Sequence, residues 1–291
     1  MGAGLARSVF GTSFRNPVLL AAGTAGFGRE LDGVVNLDRL GGIVSKAVSL
    51  EPRAGNPPPR VAEFAGGMLN SVGLANPGLV HVREHELPWL TRRLGETRLI
   101  VNVVGFTLEE YAAVIAGLSG FDVIAAFEIN LSCPNTHAGG IEFGADPGSV
   151  RRVVESCRAA TSLPVIAKLS PALPDIAGTA LVARDAGADG VSVVNTIPGL
   201  LRGHDGRGKA RLGQGNGGVS GPGLLPVGVL ATARVVERTG LPVIGVGGVR
   251  SAADARQYLS AGASLVAIGT AALADPRLPE RVVADLEREG D

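Results

Sequence analysis

The sequence predicts an α/β fold, a closed (β/α)8 TIM barrel, and three observations carry that expectation. Short apolar runs alternate with helix-patterned stretches eight times along 291 residues, which is how parallel strands joined by crossover helices read. The 43 glycines supply many tight turns, and with only 4% aromatic residues the core is left to Val, Ile, Leu and Ala. There is also a faint internal echo. Leu163-Pro164-Val165-Ile166 returns as Leu241-Pro242-Val243-Ile244, and Ala186-Gly187-Ala188-Asp189 as Ala261-Gly262-Ala263-Ser264, a spacing that fits repeated βα units. The length exceeds the roughly 100–200 residues usual per domain, but barrels reach about 250 as one domain. Residues 1–291 therefore read as a single domain. An open doubly wound sheet would need a nucleotide fingerprint directly after the first strand, and Pro17–Gly23 leads into none.

The elements follow in order. Pro17–Gly23 is an apolar run closed by glycine and suits a buried parallel strand. A helix is expected over about Glu30–Leu40, then a second strand, Ile43–Lys46. From Ser49 to Gly78 the pattern is irregular, with Asn56-Pro57-Pro58-Pro59 and several glycines, and a loop of that length inside a compact domain is usually functional. A helix near Val80–Leu94 precedes the third strand, Leu99–Val104. Thr107 with Glu110 forms a capping box for the next helix. The fourth strand breaks into a polar turn, Asn130-Leu131-Ser132-Cys133-Pro134-Asn135, followed by a glycine-rich flap, Thr136–Gly144. Pro147 opens a helix to about Ala160. Strand five is Pro164–Lys168, then come a helix at Asp175–Ala186 and strand six, Gly190–Thr196. A second polar excursion runs from Pro198 to Pro222. The helix Leu225–Thr239, strand seven at Pro242–Val246, the helix Ala252–Ala261 and strand eight at Leu265–Ile268 complete the set.

Composition removes several function classes. Lys and Arg number 27 against 27 Asp and Glu, so no charge field draws nucleic acid or an anionic membrane. Two cysteines can neither build a disulfide framework nor ligate an iron–sulfur cluster, which needs about four. No run reaches the roughly 18 apolar residues of a membrane span, and no signal-peptide pattern opens the chain. A cytoplasmic protein without a metal site is expected.

Chemistry in such a barrel sits at the C-terminal ends of the strands. Those ends read Lys46, Asn102, Asn130 with Cys133, Lys168, Asn195-Thr196, Gly247-Gly248 and Gly269-Thr270. The glycines after strands seven and eight suit a phosphate held by backbone N–H groups. Asparagines offer donors and acceptors to a planar polar ligand, and a thiol can move a proton. Lysines beside a phosphate-bearing cofactor are placed to stabilise developing charge.

The chain resembles the class 1 dihydroorotate dehydrogenases, most closely the NAD-linked class 1B catalytic subunit. The resemblance runs through Ser45-Lys46-Ala47, Pro52-Arg53-Ala54-Gly55-Asn56-Pro57, Met68-Leu69-Asn70, Gly73-Leu74 and Asn76-Pro77-Gly78. It continues through Asn130–Asn135 with Gly139-Gly140, Lys168-Leu169-Ser170-Pro171, Asn195-Thr196, Gly217–Pro222, Gly247-Gly248-Val249 and Gly269-Thr270-Ala271. It implies one FMN per chain in the barrel mouth and oxidation of dihydroorotate to orotate in pyrimidine biosynthesis. Cys133 would be the general base for the C5 proton while hydride passes from C6 to the flavin, with Lys46 touching flavin and substrate. Asn70, Asn130, Asn195 and Thr196 would hold the pyrimidine, and the backbone at Gly73 and Leu74 would lie near its carboxylate. Ala22, Lys46, Ala47, Asn102, Asn130, Lys168, Val194, Gly221, Gly247, Gly248, Gly269 and Thr270 would line the flavin. The resemblance also implies a homodimer, extended to a heterotetramer where a partner subunit carries FAD and a [2Fe-2S] cluster. The chain departs from the family at Ala22-Gly23, where Ser-Gly is usual, and at Gly223, where alanine is usual. Residues 200–217 match only loosely.

Two alternatives stay open at this level: a related FMN oxidoreductase acting on another pyrimidine or cyclic amide, and a flavin-free barrel isomerase or lyase gripping a phosphosugar. Other motifs carry less. Gly213–Gly218 satisfies G-x-G-x-x-G but follows a polar loop, not a strand. His81-Val82-Arg83-Glu84-His85 has a zinc-protease spacing, but on an early helix away from the strand ends. Cys157 sits among helix alanines and reads as packing.

Overall fold

The computed structural model describes residues 4–131, 134–135, 141–142, 144, 146–203 and 206–289. Its first element is one the sequence pattern did not announce. Arg7–Val9 and Thr12–Phe14 pair antiparallel through the two-residue turn Phe10-Gly11. Both turn residues take positive φ, 56° and 65°, the geometry whose twist matches the flanking strands. The hairpin stoppers the barrel at its N-terminal end. Val9, Phe10 and Phe14 pack into the interior with Leu19, Val44, Ile100 and Ile166. Gly190 makes room for it, since a Cβ there would lie 2.4 Å from Phe10 Cε1.

Eight parallel strands then close on themselves: β1 (Val18–Leu20), β2 (Gly42–Val44), β3 (Arg98–Val103), β4 (Ile124–Asn130), β5 (Val165–Leu169), β6 (Gly190–Val193), β7 (Val243–Val246) and β8 (Leu265–Ile268). Each pairs with the next, and β8 pairs with β1. The strands are continuous apolar runs because both faces are covered. Leu19, Ile100, Ala126, Ile166, Ile244 and Leu265 fill the inside. Val101, Phe127, Ile129, Val165, Val191, Val243 and Val266 face the surrounding helices. Burying one such side chain as completely as Phe127, with 0% exposed, contributes about 2–3 kcal/mol.

Helices Leu108–Leu118, Pro147–Ala159, Ile176–Asp185, Leu225–Thr239 and Ala252–Ser260 lie where the apolar spacing expects them. Thr107, Asp146, Asp175 and Ser251 cap four of these through their side-chain oxygens. A further helix, Leu278–Glu289, completes the ring. The helix expected over 30–40 is instead two single turns, Arg29–Leu31 and Leu37–Arg39. Gly33 with φ 79° breaks the path between them, and Asn36 restarts it by accepting from Asp38 N–H.

The two polar excursions are not plain loops. Val61–Phe64 and Gly67–Asn70 from the first meet Gly217–Ser220 and Ile197–Gly199 from the second, in a four-stranded antiparallel sheet over the mouth. Gly218 pairs with Asn70 and Ser220 with Met68. Leu69 and Leu212 are buried with Ala62 in a small apolar cluster under this sheet.

Candidate active site

Side chains on β3 to β6 alternate inward and outward. Two residues beyond the inward-facing Ile100, Ala126 and Ile166, the sequence places Asn102, Glu128 and Lys168, with Ser192 at the matching position of β6. All four are buried, at 2%, 1%, 6% and 0% exposed. Neighbouring registers put them side by side: Asn102 faces Glu128, and Lys168 faces Ser192. Asn102 Nδ2 donates to Glu128 Oε1 at 2.7 Å, and Lys168 Nζ lies 3.8 Å from Glu128 Oε2. Ser192 Oγ is buried without a hydrogen-bond partner among the described residues. Half of the barrel therefore carries a polar arc, while β7, β8 and β1 contribute Val246, Ala267 and Ala21 to the interior.

Above the arc, half-buried residues occupy the strand ends. Asn130 is held from behind, its carbonyl accepting a 2.7 Å hydrogen bond from the Tyr111 hydroxyl. The half-buried ammonium of Lys46 has no hydrogen-bond or ion-pair partner among the described residues, while its backbone N–H donates to Gly26 O at 2.7 Å. Asn195 accepts from Thr196 N–H at 2.9 Å. Two residues far apart in sequence converge on Gly218. Asn70 Nδ2 donates to its carbonyl at 3.3 Å, and a Cβ on it would fall 2.1 Å from Thr196 Oγ1. The mouth sheet thus brings Asn70 and Thr196 to one place.

The backbone at Gly73 and Leu74 is held firmly. Leu74 has φ 58°, rare for a branched side chain. Asn56 N–H donates to Val72 O at 3.1 Å and Asn56 Nδ2 to Ser71 Oγ at 2.7 Å. Asn76 Nδ2 donates to Leu74 O at 2.8 Å, while Asn76 Oδ1 accepts from Gly78 N–H at 2.9 Å. On the opposite side the loops after β6, β7 and β8 form one patch. Thr270 Oγ1 donates to Ser220 Oγ at 2.7 Å. Gly247 O accepts from the Tyr258 hydroxyl at 2.7 Å, a phenol that burial and then Asp254 push above its ordinary pKa. Gly248, with φ 76°, fits against the start of the Leu225–Thr239 helix, where a Cβ would lie 2.5 Å from Leu225 N. Ala22 and Ala47 border the mouth at the ends of β1 and β2, with Val194 and Gly221 after β6. Gly269 lies beside Ala21, a Cβ there meeting Ala21 Cβ at an ordinary contact distance of 3.7 Å.

Cys133, expected as the general base, lies outside the described residues, as do Ser132 and Thr136–Gly140. Cys157 is fully buried in its helix, and burial pushes its thiol up to about 12. His81 contacts Glu86 at 3.3 Å, and Glu86 pairs with Arg29 at 2.7 Å. No group of three or more His, Cys, Asp or Glu is arranged to hold a metal ion among the described residues. Gly213–Gly218 runs into a strand of the mouth sheet, not into a helix. Glu128, Ser192, Tyr111 and Gly218 are the site residues that sequence reading passed over. Only Glu128 carried a signal: it sits two positions before Asn130 on the same strand and so shares its face.

A closed barrel with a buried polar arc beneath amide side chains, and a glycine patch after its last strands, is the architecture of a barrel enzyme with its site at the C-terminal mouth. A family model described as dihydroorotate dehydrogenase matches residues 4–289. The chain belongs to that family. Among its relatives is the catalytic subunit of dihydroorotate dehydrogenase B (NAD(+)) from Desulforudis audaxviator strain MP104C, 46% identical over 281 residues, covering 97% of this chain and 91% of the relative. The subunit of that name from Geobacter sulfurreducens is 43% identical over 284 residues, with coverages of 98% and 92%. That from Listeria monocytogenes serotype 4b strain CLIP80459 is 42% identical over 287 residues, with 99% and 93%.

Proposed function

We propose that this chain oxidises dihydroorotate to orotate in pyrimidine biosynthesis, using FMN bound across the barrel mouth. The observation that carries the reading is the convergence of Asn70 and Thr196 on Gly218 above the arc of Asn102, Glu128, Lys168 and Ser192. The donor set suits FMN. Ser192 Oγ is an orphaned buried hydroxyl, and Lys168 Nζ stands beyond hydrogen-bond distance of its carboxylate, so the arc keeps donors for a ring with acceptor edges. The patch of Gly221, Gly247, Gly248, Gly269 and Thr270 suits a phosphate tail held by backbone N–H groups. Ala22, Lys46, Ala47, Asn102, Asn130, Lys168 and Val194 complete the lining. When bound, the flavin supplies the acceptor for a hydride.

The chain's own residues do the rest. Asn70, Asn130, Asn195 and Thr196 present amide and hydroxyl groups to the planar edges of the pyrimidine. The fixed backbone of Gly73 and Leu74 orients its carboxylate, and the Lys46 ammonium stabilises the charge that develops during transfer. Cys133 takes the C5 proton, so the rate rises with pH toward the ordinary thiol value of about 8.5. Residues 1–291 act as one domain in the cytoplasm, as a homodimer that hands electrons to a second subunit carrying FAD and a [2Fe-2S] cluster. The relatives' names, which speak of a catalytic subunit and NAD(+), support that division of labour.

The test is anaerobic mixing of the FMN-loaded chain with dihydroorotate. The flavin absorbance bleaches, and Cys133→Ala slows bleaching severely while orotate still perturbs the flavin spectrum. A chain that takes up no flavin, or a Cys133→Ala variant that bleaches at the parent rate, would sink the reading.

A further inference from the structure

We propose that Glu128 is a positioning residue that aims Lys168 and Asn102 at the bound flavin and offsets the ammonium's field beneath it; this rests on the reading above. Glu128 and Glu86 are the buried carboxylates among the described residues, and Lys168 the buried ammonium. Glu86 lies on an outer helix against Arg29, so Glu128 and Lys168 form the ion pair of the barrel interior.

The two oxygens of Glu128 are divided between two tasks. Oε1 takes the Asn102 amide at 2.7 Å, which fixes which way that side chain points and leaves its carbonyl oxygen turned from Glu128. Oε2 faces Lys168 Nζ at 3.8 Å, close enough to attract it and too far to bind its protons. The ammonium is therefore held within the arc without a hydrogen-bond acceptor among the described residues. A stability-only barrel would fill these positions with apolar side chains, because a buried ion pair seldom outperforms well-packed hydrophobes. Glu128 lies between the two polar neighbours it touches, on the strand that continues to Asn130. Reduction adds negative charge to the flavin ring. An opposed ammonium favours that change less than a free one, so Glu128 lowers the flavin's reduction potential and directs the donors that hold the ring.

The experiment uses the FMN-loaded full chain with Glu128→Gln, Lys168→Met and the double variant, reading FMN affinity, flavin reduction potential and thermal unfolding. Gln still accepts from Asn102 but turns an N–H group toward the ammonium. In Glu128→Gln the potential shifts positive and the FMN Kd rises roughly tenfold, as when one charged hydrogen bond is misdirected. In the Lys168→Met background the same change leaves the Kd unaltered, because the residue it acts through is gone. Glu128→Gln also unfolds at lower temperature than the parent, and the double variant regains stability by removing both charges. The unfolding arm needs no flavin and stands even where Glu128→Gln folds poorly. An unchanged potential in Glu128→Gln, an equal loss of affinity in both backgrounds, or a double variant no more stable than Glu128→Gln would each overturn the inference. A parent chain that binds no FMN but shows the stability coupling would defeat the functional reading and leave the ion pair as structure alone.

Discussion

The hydroxyl of Tyr111 hydrogen-bonds the backbone carbonyl of Asn130 at 2.7 Å, tying an outer helix to the last residue of β4. Tyr111 is fully buried, and Gly105 makes room for its ring, since a Cβ there would lie 2.7 Å from Tyr111 Cδ2. Tyr111→Phe keeps the ring and removes this bond. Stability falls by about 1 kcal/mol, which denaturant titration reads. The larger effect is on chemistry: with the strand end loosened, flavin reduction by dihydroorotate slows roughly tenfold while flavin affinity stays near the parent value. Equal losses in both would show that the bond serves the fold alone.

Gly218 is a second point of leverage. A methyl group placed there would displace Thr196, whose Oγ1 stands 2.1 Å from the Cβ position, and disturb the strand that Asn70 bonds. Gly218→Ala weakens orotate binding by tenfold or more, on the order of one lost hydrogen bond plus local strain, read by spectral titration of the flavin. Gly223→Ala is the control. The Cβ enters open space, so neither orotate binding nor unfolding temperature changes. A weakened Gly223→Ala variant would show that this loop is tighter than its geometry.

The barrel was legible because each strand buries both faces and so reads as an unbroken apolar run between turn residues. The strand-end residues were legible for the same reason: Lys46, Asn102 and Lys168 stand out as polar ends on apolar strands. The mouth sheet was not, because Gly67–Asn70 and Gly217–Ser220 pair across 148 residues between Asn70 and Gly218, and glycine-rich strands carry little alternation. The opening hairpin escaped for lack of length. Its three-residue strands are held by packing under the barrel, not by propensity. Glu128 was visible as a letter, but its role depends on what lies beside it on β3 and β5, and pairing register does not appear in a single sequence.

The Cys157 thiol is set apart by its burial. Burial raises Cys157 to about 12, well above the ordinary thiol value, so at pH 8 it carries almost no thiolate and has no path to reagent. A native-state titration with a thiol reagent therefore leaves Cys157 unmodified until the chain unfolds. The sign of the pH effect follows. A folded pKa above the unfolded one gives stability that is complete below about 9 and lost as pH climbs toward about 12. Cys157→Ala should lose less stability than the parent between pH 9 and pH 11, in unfolding curves taken at fixed ionic strength. Two fast thiols in the native chain would refute the assignment.

Asp146 caps the helix Pro147–Ala159, accepting from Ser149 N–H at 2.7 Å and Ser149 Oγ at 2.8 Å. The Ser149 hydroxyl first, and its backbone N–H next, hold the carboxyl below the ordinary carboxylate range. A depressed folded pKa means the stabilisation is present above the ordinary value near 3.8 and disappears as pH falls through the lowered one. The side chain is 58% exposed, so solvent screening keeps the effect at the low end of the range for helix caps, about 0.5–1 kcal/mol. Asp146→Ala should be less stable than the parent by that amount at pH 7. Asp146→Asn retains a cap acceptor and loses less. The gap between Asp146→Ala and the parent should narrow steadily on acidification below about pH 4, followed by urea unfolding at matched salt. A gap that stays constant into acid would mean that the carboxylate charge plays no part in the cap, leaving only the shape of the turn to account for where this helix begins.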